Sequence, residues 1–199
     1  MLRSFSPIFS LARVVSTRRA TLPDSTVETK SYGAEDFLSA GNVDRADEAV
    51  AEIFTMMLSL DIKAVEGPTS DLPPSEQDER TAFVGFSGAM RGSCQVRMRP
   101  AGARLIASAM LGGAPIAEDD EDSISDALGE MCNMLAGGWK NGIPELSAAC
   151  TLSPPTVISG QDYKVHVRKA SVKLARTYLF EGHALYLILH CEDIQSARQ

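Results

Sequence analysis

Two stretches of this chain share one helical pattern. Glu48-Ala-Val-Ala-Glu52-Ile-Phe-Thr55-Met56 lies over Asp126-Ala-Leu-Gly-Glu130-Met-Cys-Asn133-Met134 at a constant offset of 78 residues. Both read acid, Ala, aliphatic, small, Glu, apolar, any residue, Thr or Asn, Met. Identity or charge agrees at 48/126, 49/127, 52/130 and 56/134 together, which duplication explains better than a chance agreement of period. After each helix come a variable loop and a strand–turn–strand unit, with Arg91-Gly92 in the first half and Glu181-Gly182 in the second. The repeat predicts an α+β fold: duplicated α-β-β halves sharing one mostly antiparallel sheet, with long helices packed on it.

The finer pattern agrees. Val50, Ile53, Phe54, Met57 and Leu58 form an apolar stripe that predicts a helix over Asp47–Leu60. Ile62–Val65 reads as a short strand, and Gly67–Arg80, with Pro68, Pro73 and Pro74, as a loop. Ala82–Phe86 and Cys94–Met98 read as strands bent at Gly88 and Gly92. Pro100 opens a helix to Leu111, stopped by Gly112-Gly113. The acidic run Glu118–Asp122 reads as a solvated linker, Ser123–Trp139 as the second long helix, and Tyr163–Cys191 as two or three strands. The folded domain is expected over 43–195. Residues 1–42 are read as a disordered basic tail and linker.

Composition removes several function classes. Residues 1–23 carry Arg3, Arg13, Arg18 and Arg19 and no acid, so the chain's formal charge of −7 understates the acidity of the rest. A nucleic-acid module normally leans towards positive charge. The longest apolar runs are far short of a bilayer span, so no membrane role is expected. Cys94, Cys132, Cys150 and Cys191 form no C-x-x-C pair, which fits reduced thiols in a cytoplasmic protein.

Around the helix Ser123–Trp139, Ile124, Leu128, Met131 and Leu135 fall on one side at spacings of 4, 3 and 4, and would bury against the sheet. Asp126, Glu130, Asn133 and Gly137 fall on the opposite side at the same spacings. A carboxylate and a carboxamide therefore stand one turn apart, facing away from the core. Asn is a poor choice in mid-helix because its side chain competes for the backbone. Gly129, Gly137 and Gly138 each cost ~1 kcal/mol of helix stability. Small residues there let another backbone come close. An exposed Glu alone is ordinarily a solvated charge, and Glu-x-x-Asn alone is a weak motif.

The wider wording, Asp126-Ala-Leu-Gly-Glu130-Met-Cys-Asn133-Met-Leu-Ala-Gly-Gly, resembles the signature of the CheC/CheX/FliY chemotaxis phosphatases: an acid or Ser, three residues, Glu, two residues, Asn. The resemblance extends over roughly residues 45–193. Phe54-Thr55-Met56-Met57-Leu58 is similar to that family's first helix. Phe86-Ser87-Gly88-x-x-x-Gly92 is similar to its glycine-rich hairpin. Leu152-Ser153-Pro154-Pro155-Thr156-Val157-x-x-Gly160 is similar to its downstream Ser-Pro-Thr-Val…Gly segment.

The resemblance implies a CheC-like fold and a cytoplasmic phosphatase that hydrolyses the aspartyl phosphate of a CheY-like receiver domain. It implies that Glu130 pairs with the receiver's active-site lysine and that Asn133 orients the attacking water. Asp126, Glu130 and Gly137 would touch the partner. The chain itself would bind no cofactor or metal; Mg²⁺ is expected in the receiver. The first half has Glu52 where Glu130 stands but Thr55 where Asn133 stands, so the chain resembles the CheX arrangement, with one working helix and Glu52 a surface or structural residue. CheX-like members are also known as dimers, so a homodimer is a further expectation. The second reading is a non-catalytic module of the same fold that docks a receiver or a flagellar-switch-like partner.

Other candidates are weaker. His166 reads as an outward strand residue, and His183 and His190 lack paired acids at ligand spacing. Gly85-x-x-Gly88-x-x-x-Gly92 lacks the Gly-Lys-Ser/Thr of a phosphate loop and is better explained as a hairpin. No Ser has a G-x-S-x-G context. Glu118–Asp122 lacks the regular ligand spacing of a Ca²⁺ loop. Trp139 and Met134 fit a partner surface or the core equally well.

Overall fold

The computed structural model describes residues 39–65, 78–160, 163 and 172–192. The expected tail up to residue 38, the expected loop Gly67–Arg80 as far as residue 77, the strand around His166 and the end of the domain beyond 192 lie outside the described residues; Glu79 and Arg80, expected in that loop, are strand instead.

Helix α1 is Ala40–Glu52, continued by a π-helical segment, Ile53–Leu58. It begins a few residues before the expected start of the domain. Strands β1 (Lys63–Ala64), β2 (Glu79–Gly88) and β3 (Arg91–Met98) follow, then α2 (Pro100–Met110). The second half holds α3 (Glu121–Asn141), α4 (Pro144–Ser147), β4 (Cys150–Leu152), β5 (Thr156–Gly160), β6 (Val172–Phe180) and β7 (His183–Glu192).

The strands form one antiparallel sheet in the order β1-β6-β7-β3-β2-β4, with β5 also on β2. Each half contributes a hairpin, β2–β3 or β6–β7, and the two hairpins meet at β3–β7. The observed register pairs Gln95 with Ile188 and Val96 with Leu187. The outer strands are exchanged: β1 of the first half pairs with β6 of the second, and β4 and β5 of the second pair with β2 of the first.

Side-chain alternation directs one face of the sheet at the helices. Ala82, Val84 and Phe86 of β2 are buried there, with Cys94, Val96 and Met98 of β3 and Leu185, Leu187 and Leu189 of β7. The helices close this face with Val50 and Phe54 of the first half, Ile106 of α2, and Leu128, Met131 and Leu135 of α3. Phe54 meets Phe180 edge-on at 5.1 Å, and Trp139 meets Phe86 at 5.6 Å. Trp139 is thus core, its indole N–H donating to Asn42 O at 3.3 Å. Met134 is partly buried against the same core.

Three sequence expectations need correction. Met57 belongs to the apolar stripe that the sequence predicts to be buried, but it is 61% exposed and Met56 is 75% exposed. The cause is the π-helical winding of Ile53–Leu58, which takes later residues off a 3.6-residue stripe. The run Glu118–Asp122 is solvated at Glu118, Asp119 and Asp122, but it is more than a linker, since Glu121 and Asp122 begin α3. Glu118 pairs with Arg104 at 2.6 Å, Asp120 caps α3 by accepting from Ser123 N at 3.1 Å, and Glu121 forks onto Arg80 at 2.6 and 3.0 Å. Finally, Cys150–Leu152 and Thr156–Gly160 form strands that the hydrophobic pattern did not show, because an edge strand with Pro154-Pro155 in it has little alternation to read.

Candidate functional site

Helix α3 is held firmly before any of its outward residues matter. Asp120 caps its N-terminus, and Glu121 and Asp122 in the first turn favour the helix dipole. Its buried stripe is Ile124, Leu128, Met131 and Leu135, as the spacing predicted. The Cys132 thiol sits between strands, donating to Ala82 O and Cys94 O at 3.6 and 3.7 Å. At the far end Lys140 Nζ donates to Ser147 O at 2.5 Å.

The close neighbours of the α3 glycines are side chains, not the second backbone that the sequence suggests. A Cβ at Gly138 would stand 3.2 Å from Ala49 Cβ of α1. One at Gly129 would stand 3.3 Å from Pro155 Cβ and 3.5 Å from Val157 Cγ2. One at Gly137 would be 3.9 Å from Leu152 Cδ1. The edge formed by β4 and β5 therefore runs alongside α3 and touches it at two levels.

Between those levels the edge bows out. Ser153 N donates to Gly85 O, and Gly85 N donates to Ser153 Oγ, both at 2.9 Å. Phe86 pairs with Leu152, whereas Phe83 pairs with Thr156, so the register slips by one residue across the break. Pro154 and Pro155 together stand opposite Val84. This is a β-bulge, and proline suits it because neither residue has an N–H to offer the ladder.

On the outward stripe of α3, Asp126 and Glu130 are exposed, while Asn133 and Gly137 are half-buried. The structure thus brings the four predicted residues into one line on one helix. Among the described residues neither Glu130 nor Asn133 makes a hydrogen bond or ion pair, so both side chains are available to a partner. Asp126 and Glu130 also border an open groove of about 560 Å³, completed by Ser125, Gly129, Pro155 and Val157. Sequence reasoning did not single out Ser125, Pro155 and Val157 as site residues. The Ser-Pro-Pro-Thr-Val wording was the available signal, but its position beside α3 depends on pairing with the distant β2.

The arrangement suits positioning chemistry. A carboxamide can accept a hydrogen bond from water through oxygen while donating through nitrogen to an anionic oxygen. It carries no charge to repel such an anion. The neighbouring carboxylate can hold a cationic group one turn away. In the first half Glu52 and Thr55 are exposed, and Thr55 lies in the π-helical segment, so no equivalent pair exists there. Among the described residues no group of three His, Cys, Asp or Glu side chains is placed to hold a metal ion. No helix among them is long and apolar enough to cross a membrane.

Residues 80–178 match the family model described as chemotaxis phosphatase CheX. That stretch of the chain is CheX-like. The CheY-P phosphatase CheX of Thermotoga maritima is 35% identical over 82 residues, covering 41% of this chain and 52% of that protein. The match thus spans about half the length of that CheX. The crystal structure of CheX from Desulfovibrio desulfuricans superposes with a TM-score of 0.63 at 21% identity, over 76% of this chain and 99% of that one. The CheX–CheY–BeF3–Mg²⁺ complex from Borrelia burgdorferi contains a chain that superposes with a TM-score of 0.60 at 18% identity, over 77% of this chain and 96% of that one. These superpositions establish the CheX fold.

Proposed function

We propose that this chain is a CheX-type phosphatase that removes the aspartyl phosphate from a CheY-like receiver protein in chemotaxis-type signalling in the cytoplasm. The observation that carries the reading is the pairing of Glu130 and Asn133: one turn apart, outward, and without partners of their own among the described residues. The Thermotoga relative is named as a CheY-P phosphatase. A CheX of the same fold has been captured with CheY, BeF3 and Mg²⁺.

An acyl phosphate is already an activated group. The receiver's own divalent ion and lysine supply charge stabilisation on the phosphoryl oxygens, so a held nucleophile is the missing part. In this reading Glu130 takes the receiver's lysine and sets the docking register. Asn133 enters the receiver's site, and its amide orients a water in line with phosphorus. Asp126 and Gly137 flank the contact on the same stripe. Positioning of this kind converts a bimolecular encounter into a near-attack geometry, and it needs no charge on the positioning group.

The test is the decay of a phosphorylated receiver. Asn133→Ala is expected to slow dephosphorylation ~10²-fold or more while binding is largely kept. Glu130→Lys is expected to weaken binding by several kcal/mol through like charges. Equal decay with wild type and Asn133→Ala would remove the catalytic role and leave a docking module.

A further inference from the structure

Glu130 satisfies one lysine of the receiver, but the groove beside it holds a second, separate carboxylate. Its α3 wall carries Ser125, Asp126, Gly129 and Glu130, and its opposite wall carries Pro155 and Val157. Gly129 is what lets the walls meet at the floor, because any side chain there would fill the base. Asp126 stands one turn before Glu130, and like charges at that spacing disfavour each other slightly. Among the described residues Asp126 has no ion-pair partner, whereas Glu121, in the first turn of the same helix, is taken up by Arg80. An apolar wall with a carboxylate at its rim is the complement of a long basic side chain, whose methylene stem packs on apolar surface while the head stays polar. Glu130 lines the groove as well as the outward stripe, so a partner docked through Glu130 borders its mouth.

We propose that this groove is a specificity pocket for a second basic side chain, a lysine or arginine, on the receiver that Glu130 and Asn133 engage. The inference rests on the receiver-phosphatase reading and adds its selectivity. The stem lies on Pro155 and Val157, and the cationic head pairs with Asp126. The two acids of the stripe thereby divide the work. Glu130 reads a lysine at the receiver's active site. Asp126 reads a surface cation beside it and so distinguishes one receiver from another.

The full chain is titrated with a CheY-type receiver activated by beryllofluoride and Mg²⁺, and the same pair is followed in phosphate release. Asp126→Asn should weaken binding about threefold, and Asp126→Lys at least tenfold, with the loss appearing in KM more than in kcat, opposite to Asn133→Ala. Pro155→Lys, which places a tethered cation in the groove, should also weaken binding at least tenfold. Exchanging the responsible basic residue of the receiver for Glu should restore affinity to Asp126→Lys. Binding within twofold of wild type for both lysine variants would overturn the pocket while leaving the phosphatase reading intact. A change confined to self-association, read by sedimentation, would assign the groove to a second copy and also overturn it. A wild-type chain that binds none of the receivers of its own organism would remove both readings.

Discussion

Gly129 of α3 lies against Pro155 of the bulged edge, so close that a Cβ at 129 would stand 3.3 Å from Pro155 Cβ and 3.4 Å from Pro155 Cγ. The contact joins the helix that carries Glu130 to the segment that walls the neighbouring groove. Gly129→Ala gains helix propensity of ~1 kcal/mol and loses a comparable amount to crowding, so its stability should stay close to wild type. Gly129→Leu has no room and should cost ~1–3 kcal/mol. It should also weaken receiver binding, because the groove floor is filled. Urea midpoints for both variants, read beside receiver affinity, check this; a Gly129→Leu chain as stable as wild type would show that the edge yields freely.

The first half carries Glu52 and Thr55 at the positions of Glu130 and Asn133, which invites an attempt to restore a second site. Thr55→Asn in an Asn133→Ala background should remain inactive. The π-helical winding of Ile53–Leu58 widens the turn and rotates residue 55 away from the line of Glu52. Phosphate release by the double variant at a tenth of the wild-type rate or more would contradict this account.

Asp47 of α1 binds two groups of β6 at once. It accepts from Arg176 Nε at 3.0 Å and Arg176 Nη2 at 2.5 Å, and from the Tyr178 hydroxyl at 2.7 Å. Burial, and then the Asp47 carboxylate, push the Tyr178 hydroxyl far above its ordinary range, so it stays a donor at all working pH. Asp47→Ala would leave both donors buried and unpaired. Full burial of the pair would put the loss at ~3–5 kcal/mol; partial exposure of Asp47 reduces it to ~2–3 kcal/mol. Thermal or urea denaturation measures this directly, and a loss below ~1 kcal/mol would mean that water replaces the carboxylate.

His190 of β7 is half-buried, opposite Lys173 in the register. Burial, and then the Lys173 charge, hold its pKa below the ordinary 6.5. The folded chain therefore binds less proton at this site than the unfolded chain does. Stability from this residue is fully present above pH 6.5 and declines as pH falls through 6.5 towards the lower folded value. His190→Gln should flatten the fall in urea midpoint between pH 7.5 and 5.5. An unchanged slope would place the acid sensitivity elsewhere.

The sequence by itself determined the α+β class, the duplication and the outward stripe of α3. These are local or periodic properties: a 3.6-residue repeat decides which side of a helix meets a sheet, and the same word written twice implies the same unit twice. Glu130 and Asn133 were legible because both lie on one helix, where spacing alone sets their relation. Tertiary structure decided what involves distant partners. The exchange of β1 and of β4–β5 between halves, the capture of Glu121 by Arg80 and the wall that Pro155 and Val157 set beside Asp126 are contacts between distant segments. No local pattern encodes them, because their energy exists only once the sheet has assembled. The exposure of Met57 belongs there too, since the π-helical winding that causes it breaks the period by which a sequence is read.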